Sequence, residues 1–251
     1  MTITASTPRA AESTHWYTRD GIPRYTIIGA NGKERNTTLR DARKEGLIPS
    51  VTTILKVASN PVLNQWIQKQ VLMAALTLPK VDGESENEYI SRIINDSKEQ
   101  GRKAADLGTD IHNAIQSFYE GKTNDTYVKH TQGCIVALQE VYGSQGWISE
   151  RAFGHDMGFG GKCDLHSTEG EGIVVDIKTK DFDDPDVVEG YDEHLMQLAA
   201  YRVGLGLPHA RCGNVFVSRV GVRVRVRVRV RVRVRVRVRV ELGLGFGLEL
   251  G

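Results

Sequence analysis

Between Glu150 and Lys178 the sequence gathers carboxylates and an ammonium at spacings that suit hydrolysis of a phosphodiester. Asp176-Ile177-Lys178 closes an apolar run, Gly172-Ile173-Val174-Val175. In an extended strand, residues two apart project to the same side. The Asp176 carboxylate and the Lys178 ammonium would then share a face, and the Ile177 carbonyl would offer one more oxygen. Asp164 lies on the preceding strand-like run, after Gly160-Gly161, a pair that allows another backbone to come close. If the runs 158–167 and 172–179 pair as a hairpin, Asp164 and Asp176 meet across it, and Glu150 on the strand before supplies a third carboxylate. Hydrolysis at phosphorus needs a hard cation to polarise the phosphate and acidify a water, and Mg²⁺ takes such ions' usual ligands, one or two carboxylates plus water and phosphate oxygens. Alone, Asp-x-Lys is common enough that a solvated strand end is the default reading. The neighbours change that.

The elements that would position these residues read as follows. Trp16 to Ile28 has the pattern of a hairpin, WYTR and RYTII around a turn at Asp20-Gly21, and Asn31-Gly32 marks a second turn. Ser50 before VTTILKV suits a helix N-cap, and 62–77 is helical by composition. From Glu88 to Glu120, Ala104, Leu107, Ile111, Ala114, Ile115 and Phe118 recur at three and four residues, with Gly121 as the stop. A helix over 128–143 follows, then strands at 147–153, 158–167 and 172–179, a helix over 191–205 and a strand over 212–218. This order, helix, three strands, helix, strand, predicts an α/β fold with a small mixed central sheet flanked by helices. The expected organisation is a disordered stretch over 1–14, a hairpin and helical module over 15–100, a core over 101–220, and a low-complexity tail over 221–251.

Read together, these blocks resemble the RecB-like branch of the PD-(D/E)XK nucleases. That family pattern is a G-T-x-x-H helix, then Glu, G-x-x-D, D-x-K-T, and a helix with Q-x-x-x-Y. Here the blocks are Gly108-Thr109-Asp110-Ile111-His112, Glu150, Gly161-Lys162-Cys163-Asp164, Asp176-Ile177-Lys178-Thr179 and Gln197-Leu198-Ala199-Ala200-Tyr201, in that order over 108–201. Each block is weak alone; the ordered set is specific. Pro49-Ser50-Val51-Thr52-Thr53-Ile54-Leu55, with Trp66 beyond it, is also similar to phage-type and mitochondrial genome-maintenance exonucleases. The resemblance implies a restriction-endonuclease-like core and metal-dependent cleavage of DNA, exonucleolytic in preference to endonucleolytic, in phage or bacterial recombination or repair. It implies Mg²⁺ or Mn²⁺ held by Asp164, Asp176, Glu150, His112 and the Ile177 carbonyl. Lys178 would work on the attacking water or the developing charge, and Gln197, Tyr201 and Thr179 would line the DNA side. Implied partners are DNA and a recombination or single-strand-binding protein. An endonuclease of the same fold and a non-catalytic DNA-binding or assembly protein remain the alternatives.

Composition sets bounds on this. Hydrophobic content of 40% and charged content of 25% are those of an ordinary globular chain. The net charge of +2 hides an uneven distribution: nine arginines fall in the tail from Val222 against two glutamates, which leaves the body net acidic. Such a body would not coat nucleic acid by charge alone, so DNA would have to enter a local groove. Cys134, Cys163 and Cys212 form no CxxC pair, and three cysteines do not make the four-cysteine set of the relatives that carry an iron–sulfur cluster; none is expected. No signal-like segment and no 18-residue apolar stretch occurs, so no membrane contact is expected, and the predicted setting is the cytoplasm of a bacterial or phage-infected cell.

Val222 to Val240 alternates strictly between Val and Arg, and Leu-Gly alternation follows to Gly251. A basic β-ribbon is one reading. The genetic code offers another: repeated GTTAGG encodes Val-Arg, the same hexanucleotide one frame over encodes Leu-Gly, and the third frame gives Gly and then a stop. On this reading the frame runs into a simple repeat, the natural C-terminus is lost after about Ser218, and the tail is dispensable.

Overall fold

A computed structural model describes residues 15–56, 61–122, 124–221 and 223–229. The predicted disorder over 1–14 and the tail beyond 229 lie outside them. The N-terminal part carries four short strands, β1 (Trp16–Tyr17), β2 (Thr26–Ile28), β3 (Glu34–Asn36) and β4 (Ile48–Pro49), with helices α1 (Leu39–Glu45), α2 (Val51–Leu55) and α3 (Pro61–Thr77). The predicted hairpin over Trp16–Ile28 does not form as such. β1 pairs with β4 and β2 with β3, while across the Asp20-Gly21 turn there remain an isolated bridge between Tyr17 and Pro23 and backbone bonds donated by Thr18 to Ile22 and by Arg24 to Trp16. Turn signals around Gly21 and Gly32 are real, but the partner of β1 comes from more than thirty residues away, and local punctuation does not encode that. Ser50 does cap α2, accepting from the Thr53 amide at 3.0 Å.

Two long helices follow, α4 (Glu86–Tyr119) and α5 (Val128–Tyr142). α4 begins with a reciprocal capping box between Ser85 and Glu88 and is followed by Gly121 at φ 70°. It runs unbroken through residue 100, so the N-terminal module and the core share one helix.

The central sheet has five strands in the order β5 (Ile148–His155), β6 (Phe159–Ser167), β7 (Ile173–Lys180), β8 (Arg211–Ser218) and β9 (Val224–Arg229). β5, β6 and β7 form an antiparallel meander, and β8 runs parallel to β7. Parallel neighbours need a crossover, which helix α6 (Asp192–Gly204) supplies. β9 returns antiparallel to β8. One face of the sheet packs Leu165, Val175, Ile177, Val215 and Val217 against Ile111 and Ile115 of α4 and Cys134 and Leu138 of α5. The other packs Phe153, Cys163, Val174 and Cys212 against Val51 of α2 and Leu198 and Tyr201 of α6. The architecture is mixed α/β, with the sheet between helices on both faces. Among the described residues no helix is long and apolar enough to cross a membrane.

The first residues of the Val-Arg run belong to this sheet. Val224 and Val226 pack against the α4/α5 core, while Arg225 pairs with Asp186 at 2.9 Å. Alternation puts valine on the apolar face and arginine toward solvent, which is what an edge strand over this core requires. Whatever the origin of the run, its first six strand residues close the sheet.

Candidate functional site

The register places the three candidate carboxylates in one row. Pairing in β5·β6 steps from Ser149↔Leu165 to Arg151↔Cys163, so Glu150 stands opposite Asp164. Pairing in β6·β7 ends at Leu165↔Val175, so Asp164 and Asp176 would be the next pair. Neither pair is made. Glu150 has φ 55°, a left-handed conformation that costs a non-glycine residue on the order of 1–2 kcal/mol. Side-chain alternation breaks at the same place: Leu165 and Cys163, two apart, belong to cores on opposite faces. The sheet splays at Asp164.

The gap is bridged by a side chain. The Ile177 amide donates to Asp164 Oδ2 at 2.6 Å, replacing the ladder bond that a regular strand pair would make. An extended residue's N–H and C=O point to the same strand edge. The Ile177 carbonyl therefore also faces the β6 side, where Asp164 sits.

Two assemblies meet there. The first comprises His112, Glu150 and Asp164, whose ligating atoms all lie within 4.8 Å of one another. His112 Nε2 is 3.1 Å from Asp164 Oδ2. Burial pulls the imidazole pKa down, but the Asp164 carboxylate, with Glu150 and Asp176 behind it, outweighs this and lifts it to about 9. Burial likewise opposes ionisation of Asp164, yet His112 and Lys178 hold its carboxyl below the usual range. His112 is brought in by α4, which approaches β7 closely only because residue 108 is glycine. A Cβ there would sit 2.4 Å from Thr179 Oγ1. Thr179 thus packs against the helix that carries the histidine.

The second assembly lies on the α6 face. Asp176 is 1% exposed, which a carboxylate tolerates only with its oxygens satisfied. Lys178 Nζ reaches Oδ1 at 3.0 Å and Oδ2 at 2.8 Å; Gln197 Nε2 donates to Oδ1 at 2.9 Å and Asn214 Nδ2 to Oδ2 at 3.0 Å. Gln197 also takes a bond from Lys178 at 2.9 Å and donates to the Tyr201 hydroxyl at 2.8 Å. Burial pushes Asp176 up to about 6, against the pull of Lys178. Gln197 and Tyr201, expected to line the site near the metal and DNA, are 6% and 5% exposed and close this network from the α6 side.

All the predicted side chains therefore converge, but not as one ligand set. Asp176 is committed to Lys178, Gln197 and Asn214, while His112, Glu150 and Asp164 make the compact cluster. Sequence reasoning missed Asn214, although an amide within the run CGNVFVS is the kind of buried polar group that needs a partner. The parallel register Asp176↔Asn214 supplies it. It also missed Lys162, whose ammonium contacts Glu150 Oε2.

No family model matches this sequence, and no curated protein matches it. Among solved structures the chain is similar to SSO0001, at 16% identity and a TM-score of 0.30, the alignment covering 67% of this chain and 77% of that one. The functional reading rests on the geometry of the site.

Proposed function

We propose that this chain is a metal-dependent deoxyribonuclease with a restriction-endonuclease-like core of the PD-(D/E)XK type, acting as an exonuclease. The observation that carries the reading is the row Glu150, Asp164, Asp176 at the splay of β5, β6 and β7, with Lys178 on the same strand face as Asp176 and His112 over Asp164. A set of two carboxylate oxygens and one imidazole fits a small divalent cation, and the imidazole suits Mn²⁺ better than Mg²⁺. His112, Glu150 and Asp164 would hold it, with the Ile177 carbonyl facing the same gap. Bound there, it would polarise a phosphate oxygen and acidify a water. The chain's own part is positional. Asp164 fixes the gap by tying down the Ile177 amide. Lys178, clamped by Asp176 and Gln197, keeps its ammonium aimed and charged, because Asp176 and Asp164 outweigh the effect of burial. Such a preorganised charge steadies charge that develops at phosphorus.

The test is cleavage of end-labelled linear DNA, single- and double-stranded, with Mg²⁺, Mn²⁺ or a chelator, alongside covalently closed circles. Cleavage of linear DNA that needs the metal and spares the circles supports an exonuclease, and cutting of circles supports the endonuclease alternative. Folded protein that binds DNA and cuts neither with either metal overturns the enzymatic reading in favour of a binding or assembly role.

A further inference from the structure

We infer that Lys162 is an internal counter-ion of the His112–Glu150–Asp164 cluster, holding Glu150 until a divalent cation displaces it and so setting the affinity for that cation. The inference rests on the reading of that cluster as a cation site. Three observations support it. First, Lys162 precedes Asp164 by two residues on β6, and its ammonium contacts Glu150 Oε2. Second, that oxygen is buried and takes no hydrogen bond in good geometry from any other donor among the described residues. A carboxylate in that position needs a positive partner. Third, the two ends differ in exposure: the Glu150 side chain is 11% exposed and the Lys162 side chain 38%. The carboxylate is fixed on a strained backbone at φ 55°, while the lysine has a flexible stem and a route to solvent. The nearby phenols are neutral and cannot serve as a counter-ion. The Tyr25 hydroxyl is hydrogen-bonded to that of Tyr17 at 2.5 Å, and Tyr17 is seated on Gly160, where a Cβ would come within 2.9 Å of its ring. An ammonium and a divalent cation on one carboxylate repel each other, so they exchange rather than add.

The test is titration of Mn²⁺ alone into the full chain, following the free ion by its paramagnetic resonance signal. Lys162→Met should bind Mn²⁺ on the order of tenfold more tightly than the parent, from removal of one unit charge a few ångströms away, and Lys162→Arg should resemble the parent. Glu150→Gln should weaken binding and abolish the gain, so that Glu150→Gln with Lys162→Met behaves like Glu150→Gln. If Lys162→Met fails to fold by circular dichroism, Lys162→Gln takes its place with the same expectation. Unchanged or weaker binding in the neutral variant, or a gain that survives without Glu150, overturns the role of Lys162 while leaving the cation site standing. No binding in parent or neutral variants overturns the cation site itself, and this role with it.

Discussion

Asp164 and Ile177 are joined by a hydrogen bond that replaces a rung of the sheet: the Ile177 amide, on β7, donates to the Asp164 carboxylate rather than to a β6 carbonyl. The two strands can part there without leaving a buried amide unpaired. Asp164→Ala should therefore lower stability by about 1–3 kcal/mol, the cost of a buried donor without an acceptor, as well as abolish cleavage. Asp164→Asn keeps an acceptor oxygen and should recover much of that stability with no cleavage. Urea melts alongside a cleavage assay separate the two losses; equal stability of both variants and the parent would refute the bridging role.

Asp176 should prove structural as well as functional. Asp176→Asn leaves the Lys178 ammonium without its counter-charge, and breaking such a pair typically costs about 3–5 kcal/mol. Asp176→Asn with Lys178→Met should be more stable than Asp176→Asn alone, and both should lack activity. A thermal-melt double-mutant cycle reads this directly; additive losses would show that the pair does not couple.

The His112–Asp164 pair predicts a pH dependence. His112 has its pKa raised in the folded state, so its contribution to stability is full below the unfolded value near 6.5 and is lost as pH rises through about 9. A cation needs the neutral imidazole, so Mn²⁺ affinity should rise over the same window, with up to one proton released from His112 per ion bound. Calorimetry in two buffers of different ionisation enthalpy counts that proton. His112→Gln should weaken binding and flatten the dependence; an equally steep dependence in His112→Gln would assign the proton elsewhere.

Gly108 and Thr179 form a steric pair across α4 and β7. Gly108→Ala brings a methyl against Thr179 Oγ1, an overpacking that costs about 1–3 kcal/mol and moves His112, one turn along, off Asp164. Thr179→Ala removes the obstructing atoms, so the double variant should regain stability and Mn²⁺ binding. Failure of that rescue would mean Gly108 serves the helix for another reason.

The Val-Arg run divides at the sheet edge. A chain ending after Arg219 loses β9 and uncovers Val215 and Val217, and its melting temperature should fall by several degrees, roughly the loss of two half-buried valines and a strand ladder. A chain ending after Arg229 should melt like the parent. Equal melting of both truncations would restore the expectation that the whole tail is dispensable.

The contrast between what the sequence did and did not disclose has a physical basis. Strands β5 to β8 and helices α4 to α6 lie within about two residues of their predicted places, because each is a distinct run, periodic as in α4 or continuously apolar as in β7, set off from its neighbours by polar or glycine-containing segments. The partner of β1 and the contact of Lys162 with Glu150 depend on pairing between distant or oppositely directed segments, which no local period records. The site residues were legible as a set through their order along the chain. Their division into the His112–Glu150–Asp164 cluster and a Lys178 clamp was not, because it arises from strand splay at Asp164, and a left-handed Glu150 has no signature in residue type. The strand at the start of the tail was missed for the opposite reason: the composition reads as a simple repeat, yet the two-residue alternation over Val224–Arg229 meets the demand of an edge strand.

That indifference has a consequence for the sheet edge. β9 is held in the register Val217↔Val224, but the run from Val222 to Val240 is identical to itself after every shift of two. A slide by one such step returns valine to the core, arginine to solvent and an arginine to Asp186, while the link from Ser218 lengthens by two residues at a few tenths of a kcal/mol in closure entropy. The edge is thus specified as a type of strand and not as particular residues, a zipper with interchangeable teeth, and no single substitution along it should be able to unseat it.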